Sequence, residues 1–489
     1  MPYFNEIYSK DGQVRPHYAN IIEHWKSIST REKNILRIRS KKLFSGDYKQ
    51  DPLPRILTHD EFQYISYGVR QRGRAIMAFL RDYCTKGTNW SQVMPNSILN
   101  MIIERHHDEN ILKTTHPDRL AFPYGPDIIR DSFGRWRVVE DSAGIVGGIG
   151  DLVQSQKILY RQVPAFRKIF SNVSGGTNDP LEFFASLAKY FSKKAEQNNG
   201  IPLLYMRPYG VESDQETSRL AQAFAKYGIA STTSSNNYRK LEIKNDKDTG
   251  IYLRTNRTNQ RVGALILHAG PDQFQGRILR LKFARLRRCN KSNATILMDE
   301  VIRELSAPSL KTALVDGHAW TNFSPGVQFI NDKLFGLYVD KMICHFLKET
   351  PLLSNIPAKP VAICDRKGVW KLDSGIVRDL RRNKENYVVK RVDQDCGTGV
   401  WIGQKETKKS LEKLIENLRH EPTKFIIQEF EHLSVLDNKI VDLRLHAHVD
   451  SEQIIVSNTP WGRAKGIRGN GKVNIGSNGI TSPVVVMRK

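Results

Sequence analysis

Cysteine is scarce in this sequence. There are five among 489 residues (Cys84, Cys289, Cys344, Cys364 and Cys396), scattered, odd in number and without a C-x-x-C pair. That pattern argues against a disulfide scaffold or a zinc ribbon and fits a reducing compartment. Long apolar runs are missing too. None approaches the ~18 residues that span a bilayer, and the opening MPYFNEIYSKDGQVRPHY lacks the apolar centre of a secretory signal. The expectation is a soluble cytoplasmic protein with no membrane partner. Neither an internal repeat nor a low-complexity linker is visible. Acidic residues are short relative to basic ones, 51 against 75, giving a formal charge of +24. A field of that size favours anionic partners such as nucleotides, acidic peptides, nucleic acid or an anionic membrane face, without choosing among them; basic solvated faces are the plainer reading. No nucleic-acid module or aromatic-rich RNA motif accompanies the charge.

What is present is a globular balance, 39% hydrophobic and 26% charged, in a chain long enough for about three domains at ~150 residues each. Residues 1–115 read as mostly helical. From Asp60 to Lys86, Phe62, Ile65, Val69, Ile76, Phe79 and Leu80 recur at helical intervals, with Asp60 as the expected cap and Thr58 as the alternative. Arg70, Arg72 and Arg74 interleave this stripe and are expected to face out or line a cleft. Asp127–Arg130, a turn through Gly134, and 135–140 read as a β-hairpin. Gly144, Gly147, Gly148 and Gly150 follow as a flexible loop. Residues 200–270 alternate strand and helix, a parallel α/β pattern. Residues 276–305 and 332–348 read as helices, and the chain after Asn386 as short strands with a helix near 406–420.

Three constellations carry chemistry. The strand 387–390 delivers Lys390, and a turn with Gly397 and Gly399 leads into the next strand. Glycines let backbone N–H groups surround phosphate oxygens, and a lysine adds a point charge. The strand 425–427 ends in Gln428, Glu429 and Phe430, which can offer an adenine edge and a ribose partners. Glu140 and Ser142, two apart, project to one side of a strand where Asp127 can join them across the hairpin; such hard oxygens suit Mg²⁺. Taken singly, a glycine hairpin beside a surface lysine, an ordinary strand end and a polar hairpin remain open.

Together with the helix opened by Asn331-Asp332-Lys333, these sets resemble the nucleotide half of an ATP-grasp enzyme in an unusual order. The metal strands come first, as in the circularly permuted ATP-grasp family. The resemblance runs through Asp11-Gly12-Gln13-Val14-Arg15-Pro16-His17-Tyr18, Leu53-Pro54-Arg55, Gly125-Pro126-Asp127, Trp136 to Asp141, Pro325-Gly326, Glu349-Thr350-Pro351, Val441-Asp442-Leu443-Arg444 and Val473 to Gly479. It departs at Ser142, where the family usually has Asn, at Val146-Gly147-Gly148, where the family has Pro-Ser-Gly, and at Asp395 and Cys396 in the glycine loop.

The resemblance implies a mixed α+β and α/β fold: a helical region at 1–120, a metal-binding part of the ATP-grasp core at 121–170, a Rossmann-like pre-ATP-grasp domain at 171–310 and the nucleotide-binding part at 311–489. It implies an ATP-dependent carboxylate–amine ligase, distantly like glutathionylspermidine synthase, that forms an acyl phosphate. ATP and one or two Mg²⁺ ions would be its cofactors, and a carboxylate donor, such as an acidic peptide or small acid, and an amine acceptor its partners. By the same resemblance Lys333, Lys390, Gly397 and Gly399 hold phosphates, and Gln428, Glu429 and Phe430 meet the nucleoside. Asp127, Glu140 and Ser142 hold metal, Arg444 or Arg463 neutralises the acyl phosphate, and Asn474 and Asn478 line the cleft. A phosphotransferase, a nucleotide-binding regulator without turnover and a basic nucleic-acid-binding protein stand as alternatives.

Overall fold

The computed structural model describes residues 3–43, 49–106, 115–144, 146–172, 175–206, 215–233, 239–244, 249–268, 310–394, 397 and 399–489. The expected basic helix at 276–305 lies outside these, as do Cys289, Asp395 and Cys396. Among the described residues no helix is long and apolar enough to cross a membrane.

The long helix His59–Cys84 forms where the apolar period predicted it, and Phe62, Ile65, Val69, Ile76, Phe79 and Leu80 are all buried. Its cap is Thr58 rather than Asp60. The Thr58 hydroxyl accepts from the Glu61 amide, and the Glu61 carboxylate accepts from the Thr58 amide, a reciprocal capping box that satisfies two end donors. Arg72 also corrects the expectation. It neither faces out nor lines a cleft but is 0% exposed. Its guanidinium forks onto Asp141 at 2.9 and 2.5 Å, meets Asp340 at 2.8 Å, and donates to the Leu353 carbonyl and to Asn355 Oδ1. Five fixed donors in one plane make arginine the cation that can be buried when its partners surround it.

Two sheets line the site, and the first of them brings the ends of the chain together. One has the strand order Ser354–Asn355, Trp136–Glu140, Asp127–Arg130, Lys439–Arg444, Trp461–Gly466, Ile480–Ser482, with Val435–Leu436 paired on Lys439–Arg444. The 127–140 hairpin thus sits against strands more than 300 residues later, with Arg444 directly opposite Asp127. The other sheet is antiparallel, in the order Ala358–Pro360, Phe425–Glu429, Tyr387–Arg391, Val400–Ile402. A third sheet has parallel strands Ala230–Thr233, Ile201–Met206 and Asn259–Leu267, extended by the antiparallel strands Gly250–Thr255 and Arg239–Lys244. Trp320–Thr321 also pairs parallel to it, past the expected boundary at 310.

Two further expectations change. Residues 332–348 are not one helix but a turn at Lys333–Gly336, a turn at Val339–Met342 and a π-helical turn at Ile343–Leu347. The side chain of Asn355 donates to the Gly336 carbonyl at 2.8 Å, drawing the chain away from a continuous helix at a residue of low helix propensity. The glycines at 144–150 are packed. Glu216 accepts from the amides of Gly148 and Gly150 at 2.6 and 3.4 Å, and a Cβ at Gly148 would sit on the Trp461 ring.

Arg72→Met leaves Asp141 buried without its main partner and is expected to cost about 3–5 kcal/mol. Adding Asp141→Leu should recover part of that loss. Urea unfolding of the two variants checks this, and a single-variant cost under about 1 kcal/mol would mean that the network carries little.

Candidate active site

The side chains of the site, from strands, the capped Lys333 turn and loops at Ser142, Phe430 and 474–478, face one cavity of about 1410 Å³. Its walls include Asp127, Glu140, Ser142, Lys333, Lys390, Gly397, Gln428, Glu429, Phe430, Arg444, Arg463, Asn474 and Asn478. The structure therefore gathers all the residues singled out from sequence except Gly399. Gly399, at φ 70°, stands one step back: its carbonyl accepts from the Arg391 amide, and a Cβ there would meet the Arg391 and Gln394 side chains. The left-handed φ and the close neighbours both require glycine. Gly397, at φ 72°, lies on the cavity wall, where Lys472 donates to its carbonyl at 3.3 Å.

The floor is a set of alternating charges. In antiparallel strands opposite residues share a face, and residues two apart along one strand share it too. Asp127 faces Arg444, Asp442 lies two residues before Arg444, and Arg463 faces Asp442. Arg444 Nε donates to Asp127 Oδ1 at 2.7 Å, Arg463 Nη2 reaches Asp127 Oδ2 at 2.8 Å, and Arg463 forks onto Asp442 at 2.9 and 2.6 Å. Burial alone would raise the Asp127 carboxyl, but Arg444 and Arg463 bring it down to about 2. Asp442 is held above the ordinary range, because burial and the neighbouring Asp127 charge outweigh Arg463. Arg463 is 3% exposed and locked between two carboxylates. Arg444, at 11%, also reaches Ser142 Oγ at 3.4 Å and the Gly147 carbonyl at 3.3 Å.

The two lysines both approach the hairpin at Val139 and Glu140. Asp332 caps the Lys333 turn by accepting from the Leu334 amide, and is itself bound by Arg105 and His106. Lys333 Nζ then lies 3.0 Å from Glu140 and donates to the Gln394 carbonyl at 2.6 Å. Lys390 Nζ and Gln428 Nε2 both donate to the Val139 carbonyl, each at 3.2 Å. Burial and the neighbouring Lys333 charge pull the Lys390 ammonium down to about 8, against the pull of Glu140 and Asp127.

Asp127 and Glu140 are register partners across a bulge, with Ser142 beyond. Among the described residues no three carboxylates, imidazoles or thiols converge closely enough to hold a metal by themselves. Two carboxylates and a hydroxyl suit a cation that completes its shell with waters and phosphate oxygens, which is the habit of Mg²⁺.

Sequence reasoning missed Asp442, Lys472 and the Arg105–His106–Asp332 clamp. Asp442 had a readable signal, since a period of two puts it on the face of Arg444. The clamp had none, because it joins residues more than 200 positions apart.

The chain matches the model of the family described as circularly permuted ATP-grasp type 2 over residues 54–224 and 286–463. It is 23% identical to an uncharacterised protein of Synechocystis sp., across 93% of this chain and 89% of that one. It is 23% identical to a Frankia casuarinae protein provisionally named a glutamate–cysteine ligase, across 93% of this chain but 50% of the longer relative. In fold it resembles a solved glutathione synthetase-like effector from Globodera pallida, in apo form, with a TM-score of 0.50 at 9% identity, covering 93% of this chain and 96% of that one. The two matched segments carry both sides of the cavity, the hairpin in the first and the lysine and arginine strands in the second, and the chain belongs to the circularly permuted ATP-grasp type 2 family.

Proposed function

We propose that this protein is an ATP-dependent carboxylate–amine ligase that works through an acyl phosphate and releases ADP and phosphate. The observation that carries the reading is one cavity in which two lysines, a hard-oxygen set and a partly open arginine meet. ATP is the cosubstrate. Lys333 and Lys390 would hold its phosphates beside Gly397, and Gln428, Glu429 and Phe430 the nucleoside. Asp127, Glu140 and Ser142 would hold Mg²⁺, which when bound supplies positive charge to the phosphates.

The chemistry needs no protein nucleophile. An oxygen of the donor carboxylate attacks the γ-phosphorus, and ADP leaves. The amine nitrogen then attacks the acyl carbon, the C–O bond breaks, and phosphate departs with the electron pair. The protein's part is positioning and charge neutralisation. Arg444, partly open and aimed toward Ser142, is the residue to meet the acyl phosphate. Arg463, held by two aspartates, acts by fixing Asp127. The donor is a small acid or acidic peptide. Glutamate is the first to try, since the Frankia relative's name includes it.

Lys390→Ala should weaken Mg·ATP binding about 10–100-fold, the ~1.5–3 kcal/mol of a charged hydrogen bond. The wild-type lysine titrates near 8 and phosphates favour its charged form, so binding at pH 8 should also take up protons, and the variant should not. Calorimetry in two buffers of different ionisation enthalpy reads both, and unchanged affinity would remove the assignment.

The reaction class is tested by oxygen-18 in the donor carboxylate. The label should appear in released phosphate. Phosphorylated donor without amide, or AMP with pyrophosphate, would contradict the ligase reading.

A further inference from the structure

Beside the main cavity lies a second, smaller chamber of about 50 Å³. Gly144 and His268 line both it and the main cavity, so the two spaces adjoin. One wall is apolar: Phe183, Leu187, Phe191, Leu220 and Phe224, contributed by the helices Leu181–Gln197 and Gln215–Ala225. His446, Ala447 and His448, at the start of the strand Ala447–Asp450, also line the chamber. Among the described residues no Lys, Arg, Asp or Glu lines the chamber.

The two histidines are anomalous for an apolar core. His446 is 1% exposed and His448 3%. His446 Nε2 lies 3.1 Å from the Gly147 carbonyl, so that nitrogen carries the ring proton and Nδ1 is left as an acceptor. Among the described residues Nδ1 of each ring has no hydrogen-bond partner. A buried polar atom without a partner costs roughly 1–3 kcal/mol, so two of them on one wall of a small chamber ask for a ligand. Burial pulls both imidazoles down to about 3, with Arg444 adding to the effect at His446 and Lys194 at His448. Both are neutral at physiological pH.

Resting on the ligase reading above, we infer that this chamber is the acceptor subsite and takes a primary amine on a short aliphatic group. The lone pair of His446 Nδ1 would receive an N–H of the amine. A carboxylate would find no cation there. An ammonium would find no anion, so the chamber favours the uncharged amine, the form whose lone pair attacks. The location fits the reaction, because Arg444 Nη1 and His446 Nε2 both address the Gly147 carbonyl, which sets the amine one peptide away from the acyl-phosphate arginine. On attack the new C–N bond forms, the acyl C–O bond breaks, and the nitrogen's surplus proton leaves with the phosphate. His446 binds and aims the amine without keeping that proton.

The test titrates n-propylamine into the full-length protein at pH 8. Methylamine and n-hexylamine serve as short and long comparators and butyrate as the carboxylate comparator, read by saturation-transfer NMR and intermolecular NOEs. Propylamine should bind at least tenfold better than hexylamine or butyrate, with NOEs from its methyl group to the Phe191 and Phe224 rings. Leu220→Phe, which fills the chamber, should abolish those signals while Mg·ATP affinity is retained; the wild-type NOEs stand as the test if that variant does not fold. Normal Mg·ATP binding with no amine signal, or a preference for butyrate, overturns the inference and leaves the ligase reading intact. Absent Mg·ATP binding overturns that reading, whatever the amine does.

Discussion

The site depends on one cross-strand pairing, Asp127 opposite Arg444. It joins a hairpin from the first third of the chain to a strand near its end, and it brings Arg463 and Asp442 into the same array. An isolated buried carboxylate would be neutral or would unfold its surroundings. Here two arginines keep Asp127 ionised, and each is anchored further, by Asp442 in one case and by Ser142 and Gly147 in the other. The charges are therefore fixed before any ligand arrives.

The same economy supports the back of the hairpin. Residues 139–142 meet a different partner at almost every step: the Val139 carbonyl takes Lys390 and Gln428, Glu140 takes Lys333, Asp141 takes Arg72, and Ser142 takes Arg444. Alternation sorts the side chains, Glu140 and Ser142 to the cavity and Asp141 to the other side, while Val139 is engaged through its backbone carbonyl. Arg72 fixes the hairpin from the helix side, and the cavity residues address its other side.

Much of this was legible in sequence, for identifiable reasons. The hairpin, the long helix, the strand of Lys390 and the helix near 406–420 follow from local periodicity and turn chemistry, and ordered short motifs pointed to the family. What escaped depends on distant residues. Arg72 looked like one of three arginines facing out or lining a cleft, because Asp141, Asp340 and Asn355 come together only in the fold. The helix expected at 332–348 broke because Asn355 draws on the Gly336 carbonyl. The glycines at 144–150 read as loose until Glu216 and Trp461 filled the space around them. Thr58 and Asp60 were both sound caps by composition, and the Glu61 carboxylate, three residues after Thr58, settles the choice.

The central claim is that one nucleotide site is built from both ends of the chain. Amide hydrogen exchange with and without Mg²⁺ and a slowly hydrolysed ATP analogue tests it most directly. The account predicts that the nucleotide slows exchange both in the hairpin at 127–142 and in the strands at 387–402 and 439–466. Protection confined to the later strands, with the hairpin exchanging as in the free protein, would contradict it.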